Sequence, residues 1–229
     1  MTAPAIRPAL WSGHDWVDQL KPEHRLLTGR PYDILKRAFD LTVVLVTLPV
    51  WLLVMAVCAA MVKLDDPSAP VIFAQRRAGL GGAPITMNKF RTMVPDADSM
   101  QEELEHLNEL ELPDFKITDD PRITRPGRFL RKTSLDELPQ VWDVLVGRLS
   151  LVGPRPSVFM TDAYLLWQTE RLDVKPGITG LWQLYGRGFS NMDDKTRLDI
   201  AYVQRRSLWF DIQVLIRTIP AVITQRGAK

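Results

Sequence analysis

The chain has 229 residues, enough for one domain, or one domain with an appendage, around a sizeable core. Its 29 basic and 27 acidic residues leave a formal charge of +2, which excludes the global basic excess typical of nucleic-acid-binding proteins. The single cysteine, Cys58, excludes an internal disulfide, and three scattered histidines with one cysteine make no zinc site.

Residues 1–31 form the first predicted segment, an irregular N-terminal arm. Several prolines interrupt it, and it lacks the basic, apolar and small-residue regions of a secretory signal peptide. Its two tryptophans, Trp11 and Trp16, would either rest at a lipid interface or pack on the domain, and the sequence leaves both open.

Residues 41–62 form an uncharged, apolar run of 22 residues that follows the basic pair Lys36-Arg37. A helix of that length spans roughly 30 Å of hydrocarbon, and a buried core helix without a polar face would be unusual in so small a domain. The run therefore predicts a membrane-inserted helix, which we place at residues 32–64.

Pro49 lies near the middle of this run, where its ring removes a backbone hydrogen bond and kinks a helix. Basic residues flank the run on both sides, so the positive-inside rule gives no orientation for a single pass. Two topologies remain open on the residues alone: a kinked transmembrane helix, or a re-entrant helix that breaks at Leu48-Pro49 and leaves on the face it entered.

Residues 71–74 and 84–93 are two extended segments joined by a glycine-rich turn, which predicts a small β-hairpin. The second strand places Lys89 and Arg91 on one face, which points either toward phosphate or toward solvent. Residues 95–112 are acidic, with apolar residues near helical spacing, and predict a surface helix.

Residues 117–156 are the chemically most informative stretch. Five cations precede the adjacent carboxylates Asp136 and Glu137: Arg122, Arg125, Arg128, Arg131 and Lys132. Residues 119–127 contain two prolines and a glycine and predict a loop. We expect a helix to begin near Ser134, with Ser134 and Glu137 forming a capping box.

Two accounts of Asp136 and Glu137 follow from the same physics. Acidic side chains stabilise a helix N-terminus through its partial positive charge, which needs no chemistry. Alternatively, the N-terminus and nearby arginines hold a carboxylate ionised, as a nucleophile or a Mg²⁺ ligand requires. Capping does not require five upstream cations, and this observation favours a site for an anionic substrate.

The remaining segments are simpler. Residues 174–188 are rich in glycine and predict loops that allow close backbone approach. Residues 195–225 predict helix with an apolar, core-facing stripe that Pro220 ends or bends.

Six segments of the chain form a recognisable ordered set: residues 36–40 (KRAFD), 89–93 (KFRTM), 130–140 (LRKTSLDELPQ), 151–156 (LVGPRP), 175–180 (KPGITG) and 207–211 (SLWFD). This set resembles the bacterial sugar transferases, the monotopic phosphoglycosyl transferases that act on polyprenyl phosphate. The resemblance covers about residues 32–224 and implies an α+β, mostly helical fold with a catalytic domain at residues 65–229.

The resemblance implies a reaction as well. A nucleotide-diphospho-sugar, expected to be a UDP-sugar, donates its sugar 1-phosphate to undecaprenyl phosphate in the initiating step of exopolysaccharide or other surface-glycan synthesis. The residue matching Asp136 attacks the sugar-linked phosphorus and forms a covalent intermediate, and Glu137 binds Mg²⁺. Such a nucleophile splits the transfer into two steps, in which two anionic substrates are used in turn.

Five cations are candidates for phosphate contacts because guanidinium and ammonium groups match phosphate oxygens: Lys89, Arg91, Arg131, Arg155 and Arg187. Arg131 is nearest the carboxylates in sequence and is a candidate for the lipid phosphate. Gly188 follows Arg187 where relatives often have a polar residue, so this loop does not identify the sugar or the nucleotide.

The resemblance also favours the re-entrant topology, with Pro49 at the break and the catalytic domain on the cytoplasmic face of the bacterial inner membrane. Many relatives carry extra upstream helices, whereas about 30 non-membranous residues precede the run here, as in the short forms. The alternative is a membrane-anchored module that binds anionic lipid without catalysis. A nucleic-acid partner is not expected, and the oligomeric state, the sugar and the glycan pathway stay open.

Overall fold

A computed structural model of the chain describes residues 27–109, 115, 117–158, 164–185 and 192–223. Its helices are α1 (Gly29–Asp65), α2 (Arg125–Lys132), α3 (Gln140–Leu145), α4 (Leu181–Tyr185), α5 (Met192–Arg205) and α6 (Leu208–Ile223). Its strands are β1 (Ile72–Ala78), β2 (Pro84–Phe90), β3 (Ser150–Val152) and β4 (Gly177–Thr179). Helices with two small sheets fit the predicted α+β, mostly helical class. Residues 1–26 of the predicted arm lie outside the described part of the chain.

Helix α1 contains the predicted apolar segment and continues through Pro49. Because Pro49 has no backbone N–H, the carbonyl one turn earlier loses its usual donor. Side-chain donors cluster on this turn: the Thr47 hydroxyl donates to the Val43 carbonyl at 2.7 Å, and the Trp51 indole N–H donates to the Val44 carbonyl at 3.2 Å. Both bonds go to carbonyls of the same turn, just before Leu45, whose carbonyl is the one that Pro49 leaves without a donor.

One face of α1 is buried along its length, and the other is apolar and exposed. The buried residues recur every four or seven positions: Tyr32, Lys36, Asp40, Val44, Trp51, Cys58 and Val62. The exposed face includes Leu45, Val46, Val50, Leu52, Leu53 and Val57. Within the described residues, α1 is the one helix long and apolar enough to cross a membrane, with a mean hydropathy of 2.6 over an 18-residue window.

The N-terminal part of α1 is tied to α6 by buried ion pairs. The Lys36 ammonium lies 2.8 Å from Asp40 Oδ1 and 3.2 Å from Asp211 Oδ2. The Tyr202 hydroxyl donates to Asp211 Oδ1 at 2.7 Å, and the Ser150 hydroxyl donates to Asp40 Oδ2 at 2.7 Å. The paired charges and the hydrogen bonds offset the cost of burying these groups.

The C-terminal part of α1 packs against the hairpin and α2. Cys58 and Val62 form an apolar cluster with Phe90 at the end of β2 and Leu130 in α2. Both ends of α1 therefore contact the domain that follows it.

The predicted hairpin is confirmed. Strands β1 and β2 pair antiparallel from Ile72 opposite Phe90 to Ala78 opposite Pro84. The hairpin is joined to α3 because Asp143 accepts hydrogen bonds from the Asn88 backbone N–H at 2.8 Å and from its side-chain amide at 2.7 Å.

A short parallel pair, β3 and β4, replaces part of the loop predicted for residues 174–188. Ser150 lies opposite Gly177, and Val152 opposite Thr179. A Cβ atom on Gly177 would lie 2.1 Å from the Gly153 nitrogen, so the approach of the two backbones requires glycine. This pairing holds residues 153–156 beside α4.

Four local predictions are wrong in whole or in part. Residues 95–109 form turns and one 3₁₀ turn (Glu105–Leu107) in place of a helix, because an apolar stripe on so acidic a segment does not specify packing. Helix α2 already begins at Arg125, where the Thr124 hydroxyl accepts from the Gly127 N–H and Pro126 fits the first turn. The last two corrections concern Ser134 and Pro220. Ser134 makes no side-chain capping hydrogen bond, and Pro220 does not end α6, which continues to Ile223.

Candidate active site

Asp136 and Glu137 lie on a single 3₁₀ turn (Leu135–Glu137) between α2 and α3. Ser134, just before this turn, has a φ of 57°, the only positive φ at a non-glycine residue in the described part of the chain. That left-handed conformation is costly for serine and often marks functional sites. It reverses the chain sharply and places both carboxylates in a cavity instead of at a helix N-terminus.

The cavity has a volume of about 630 Å³ and is formed by the hairpin, the 3₁₀ turn, residues 155 and 178–183, and α6. Its charged lining groups are two carboxylates and four cations: Asp136, Glu137, Arg77, Lys89, Arg131 and Arg155. The excess of positive charge suits an anionic ligand.

Asp136 is largely buried, and burial raises the pKa of its carboxyl from 3.8 to about 6, with a further rise from the neighbouring Glu137. Arg131, Lys89 and Arg155 act in the opposite direction and favour its ionised form. A carboxylate with a pKa near 6 is charged at pH 7.5, yet it is less solvated than a surface aspartate. Both properties suit a nucleophile.

Lys89 faces the same cavity from β2. Burial lowers the pKa of its ammonium to about 8, and the nearby Arg77 and Arg131 lower it further. The ammonium also lies 5.2 Å from the centre of the Phe73 ring, its cross-strand neighbour. Lys89 therefore stays mostly protonated near neutral pH and is available to an incoming anion.

Glu137 is held by Arg155 from the Gly-Pro-Arg-Pro segment. One guanidinium nitrogen donates to Glu137 Oε2 at 3.1 Å, and the other bonds Glu137 Oε1, so the contact is bidentate. The Arg155 guanidinium also lies 5.5 Å from the centre of the Trp182 ring. This arrangement holds the Glu137 carboxylate in place beside Asp136.

Arg131 lies in the last turn of α2 and borders the cavity near Asp136. Its Nε donates to the Thr92 hydroxyl at 2.9 Å, and burial lowers the pKa of its guanidinium. It makes no ion pair with a carboxylate within the described residues, so its remaining N–H groups are free to bind an anion.

The structure brings together most of the predicted site residues. Asp136, Glu137, Lys89, Arg131 and Arg155 all line the cavity.

The structure does not bring Arg91 into this cavity. Its Nε donates to the Pro70 carbonyl at 2.9 Å, and the residue lines a smaller neighbouring pocket together with Lys89 and Arg131. Arg187 lies outside the described residues.

Arg77, one of the basic residues that follow the apolar run, was not predicted as a site residue. Side chains alternate along a strand, so Arg77 lies on the same face as Phe73, which pairs with Lys89 across the hairpin. The strand register was therefore the signal that could have identified Arg77 as a site residue. Trp182, which lines the cavity beside Arg155, was likewise missed in a segment predicted as loop.

The donor set fits Mg²⁺. No group of three or more His, Cys, Asp or Glu side chains is placed to hold a metal in the part of the chain described here. Mg²⁺, however, is commonly held by one or two carboxylates together with substrate phosphates. Glu137, with a bound diphosphate, would supply such a set.

Comparison with known proteins gives a consistent result. A family model described as bacterial sugar transferase matches residues 31–225. The chain is 40% identical to the galactosyl transferase CpsE of Streptococcus agalactiae over 86% of this chain and 44% of that protein. It is 39% identical to the undecaprenyl-phosphate galactose phosphotransferase of Salmonella typhimurium over 88% of this chain and 43% of that protein.

A third relative matches nearly end to end. The UDP-glucose:undecaprenyl-phosphate glucose-1-phosphate transferase of Caulobacter vibrioides is 36% identical over 97% of this chain and 85% of the relative. The chain thus spans less than half of the first two relatives and most of the third.

Proposed function

The chain belongs to the bacterial sugar transferase family, and on that premise we propose that it transfers a sugar 1-phosphate from a nucleotide-diphospho-sugar to undecaprenyl phosphate. The names of the Salmonella and Caulobacter relatives contain this acceptor, and the latter also contains a UDP-sugar. These names support undecaprenyl phosphate as the acceptor and a UDP-sugar as the donor, in a pathway that makes a surface glycan such as an exopolysaccharide.

One observation carries the proposal: Asp136 is a largely buried carboxylate that faces a cation-rich cavity of about 630 Å³. A structural carboxylate would be paired or hydrogen-bonded, whereas Asp136 accepts no hydrogen bond among the described residues. Its pKa is raised by burial, a cost that folding alone does not explain. In the proposed reaction this oxygen is the nucleophile.

The first step exchanges one bond to phosphorus for another. Asp136 Oδ forms a bond to the sugar-linked phosphorus, and the bond from that phosphorus to the bridging oxygen breaks. The electron pair leaves on the nucleoside monophosphate, and the phosphosugar remains on Asp136. In the second step a phosphate oxygen of undecaprenyl phosphate attacks the same phosphorus and releases Asp136.

The cations around Asp136 have distinct roles in this scheme. Lys89 and Arg155 neutralise the phosphate that carries the sugar, because both lie in the field of Asp136. Arg131, which has no carboxylate partner among the described residues, binds the lipid phosphate. Glu137 would hold Mg²⁺, which would supply charge neutralisation on the diphosphate.

The contacts of α1 support a re-entrant topology. Lys36 near one end contacts Asp211, and Val62 near the other end packs with Phe90 and Leu130. A helix that crossed the bilayer would separate one end from the domain by roughly 30 Å of hydrocarbon. We propose that α1 stays helical through Pro49, bends there, and has both of its ends on the same face of the membrane, with its exposed apolar face in lipid. The catalytic domain then lies on the cytoplasmic face, where nucleotide sugars occur.

The proposal is tested with purified full-length protein in detergent, supplied with Mg²⁺, undecaprenyl phosphate and a panel of UDP-sugars, while UMP release is followed. The panel contains UDP-glucose, UDP-galactose and their N-acetylated counterparts. We expect multiple-turnover UMP release from at least one donor, dependent on the lipid and abolished in Asp136→Asn. Steady release without the lipid would indicate a hydrolase. Full turnover by Asp136→Asn would overturn the assignment of the nucleophile.

A further inference from the structure

Arg77 is a partly buried cation whose partners leave it incompletely satisfied. Its two terminal nitrogens donate to the Pro156 carbonyl at 3.2 Å and to Gln75 Oε1 at 2.6 Å. Its Nε is buried without a hydrogen-bond partner, and no carboxylate lies within ion-pair distance among the described residues. Burial, and after it the nearby Arg155, lowers the pKa of its guanidinium to about 10. Burying a charge without a counter-ion costs free energy, so an anion bound beside Arg77 would offset that cost.

Arg77 also lies at the junction of two cavities. It lines the Asp136 cavity and, on its other side, a pocket of about 80 Å³. The charged groups of this pocket are four cations and one carboxylate: Arg77, Arg155, Arg171, Lys195 and Asp199. The one carboxylate, Asp199, is already paired with Arg171 at 2.6 Å.

The pocket is small and carries several charged groups on its lining. Its volume corresponds to about two or three water molecules at roughly 30 Å³ each, enough for a phosphate group and too little for a sugar ring. Arg155 and Trp182 line both spaces, whereas Asp136 and Arg131 line the large cavity alone. A diphosphate that extends from Asp136 past Arg155 would place its second phosphate at Arg77.

We infer that Arg77 anchors a subsite for the phosphate of the departing nucleotide, separate from the position of the phosphate that becomes attached to Asp136. This inference rests on the proposed function. When the bridging bond breaks, the electron pair moves onto the nucleoside monophosphate, and Arg77 and Lys195 stabilise that developing charge. The lipid phosphate, on the Arg131 side, does not use this subsite.

The test compares the binding of two probes, UMP and uridine, to the full-length protein in detergent by isothermal titration calorimetry. Arg77→Gln removes the cation, and Arg76→Gln makes the same charge change at the exposed neighbouring residue on the opposite face of β1. Loss of a charge-assisted phosphate contact is expected to weaken UMP binding about 10- to 100-fold. Uridine binding should not change, and Arg76→Gln should match the parent for both probes.

Unchanged UMP affinity in folded Arg77→Gln protein would overturn the inference, as would equal losses for UMP and uridine. Should Arg77→Gln not fold, because its contacts to Pro156 and Gln75 are lost, Lys195→Gln replaces it with the same expectations. Steady-state kinetics separate this inference from the proposed function. If the parent protein transfers sugar phosphate while Arg77→Gln and Lys195→Gln bind UMP as tightly as the parent, only the subsite is wrong. If the parent neither binds UMP nor releases it from any donor, both are wrong.

Discussion

Substituting Asp136 by Asn is expected to abolish transfer and, at the same time, to stabilise the fold at pH 8. The pKa of the Asp136 carboxyl is raised from 3.8 to about 6, so the folded state holds this proton more tightly than the unfolded state. The associated stability is present in full below pH 4 and is lost as the pH rises to about 6. Above that pH the folded protein carries the whole cost of a buried charge.

The size of this cost follows from the pKa. A tenfold change in proton affinity is worth about 1.4 kcal/mol, so a rise from 3.8 to about 6 corresponds to about 3 kcal/mol. The carboxyl is partly reached by solvent, which screens its interactions, and about 1–3 kcal/mol is the expected gain for Asn. In a chain of this size that gain raises the melting temperature by roughly 2–12 °C.

The assay is thermal unfolding of detergent-solubilised protein at pH 5, 6, 7 and 8, followed by intrinsic fluorescence. The control is Asp173→Asn, at an exposed carboxylate whose side chain makes no hydrogen bond or ion pair among the described residues. It should change stability by less than about 0.5 kcal/mol. We expect the advantage of Asp136→Asn to shrink from pH 8 to pH 5. An Asn variant that is less stable than the parent at pH 8, or whose advantage does not vary with pH, would refute the reasoning.

Three further predictions use the same structure. The kcat/KM for the nucleotide sugar should rise with an apparent pKa near 6 as Asp136 ionises and fall with an apparent pKa near 8 as Lys89 loses its proton. In Lys89→Arg the fall should move to higher pH. An unchanged alkaline pKa in that variant would contradict the assignment of this pKa to Lys89. Single cysteines at positions 30 and 66 should react with an impermeant thiol reagent from the same side of sealed vesicles, whereas labelling from opposite sides would rule out the re-entrant helix. Asp211→Ala should lower the free energy of unfolding by about 3–5 kcal/mol in a denaturant titration, because it leaves the buried Lys36 without one of its two counter-ions. A change below about 1 kcal/mol would show that the ion pair between Lys36 and Asp211 is not needed for stability.

Local patterns in the sequence were sufficient to predict the elements whose formation depends mainly on neighbouring residues. An uncharged run of 22 residues predicts α1, and two extended segments around a glycine turn predict the hairpin. The dyad of Asp136 and Glu137 was predictable because the upstream cations exceed what helix capping requires. Tertiary contacts decided the remainder.

The backbone at Ser134 shows why the local geometry of the dyad was not predictable. The sequence fits a capping box, yet Glu137 pairs with Arg155, eighteen residues away, and Ser134 takes a left-handed conformation. A long-range ion pair therefore overrides a local pattern that offers only a weak hydrogen bond. The β3–β4 pair escaped prediction for a similar reason: three-residue strands carry too little periodicity to be distinguished from loop.

Arg77 illustrates a different limit. A lysine or arginine near an apolar run is usually interpreted as a membrane-flanking charge. Its role depends on strand parity and hairpin register, because these place it on the face of Lys89. Without that register, the sequence does not show that Arg77 is partly buried and has no carboxylate partner among the described residues.

Intact-protein mass spectrometry tests directly whether Asp136 forms a covalent bond to the sugar phosphate. The full-length protein is incubated with Mg²⁺ and the active nucleotide sugar without lipid acceptor, quenched in acid, and then digested for peptide mapping. The account predicts one added sugar phosphate per chain, on the peptide that contains Asp136, formed with one equivalent of UMP and removed when undecaprenyl phosphate is added before the quench. Release of UMP that requires the lipid, with no adduct at any time, or an adduct on another residue, would contradict it.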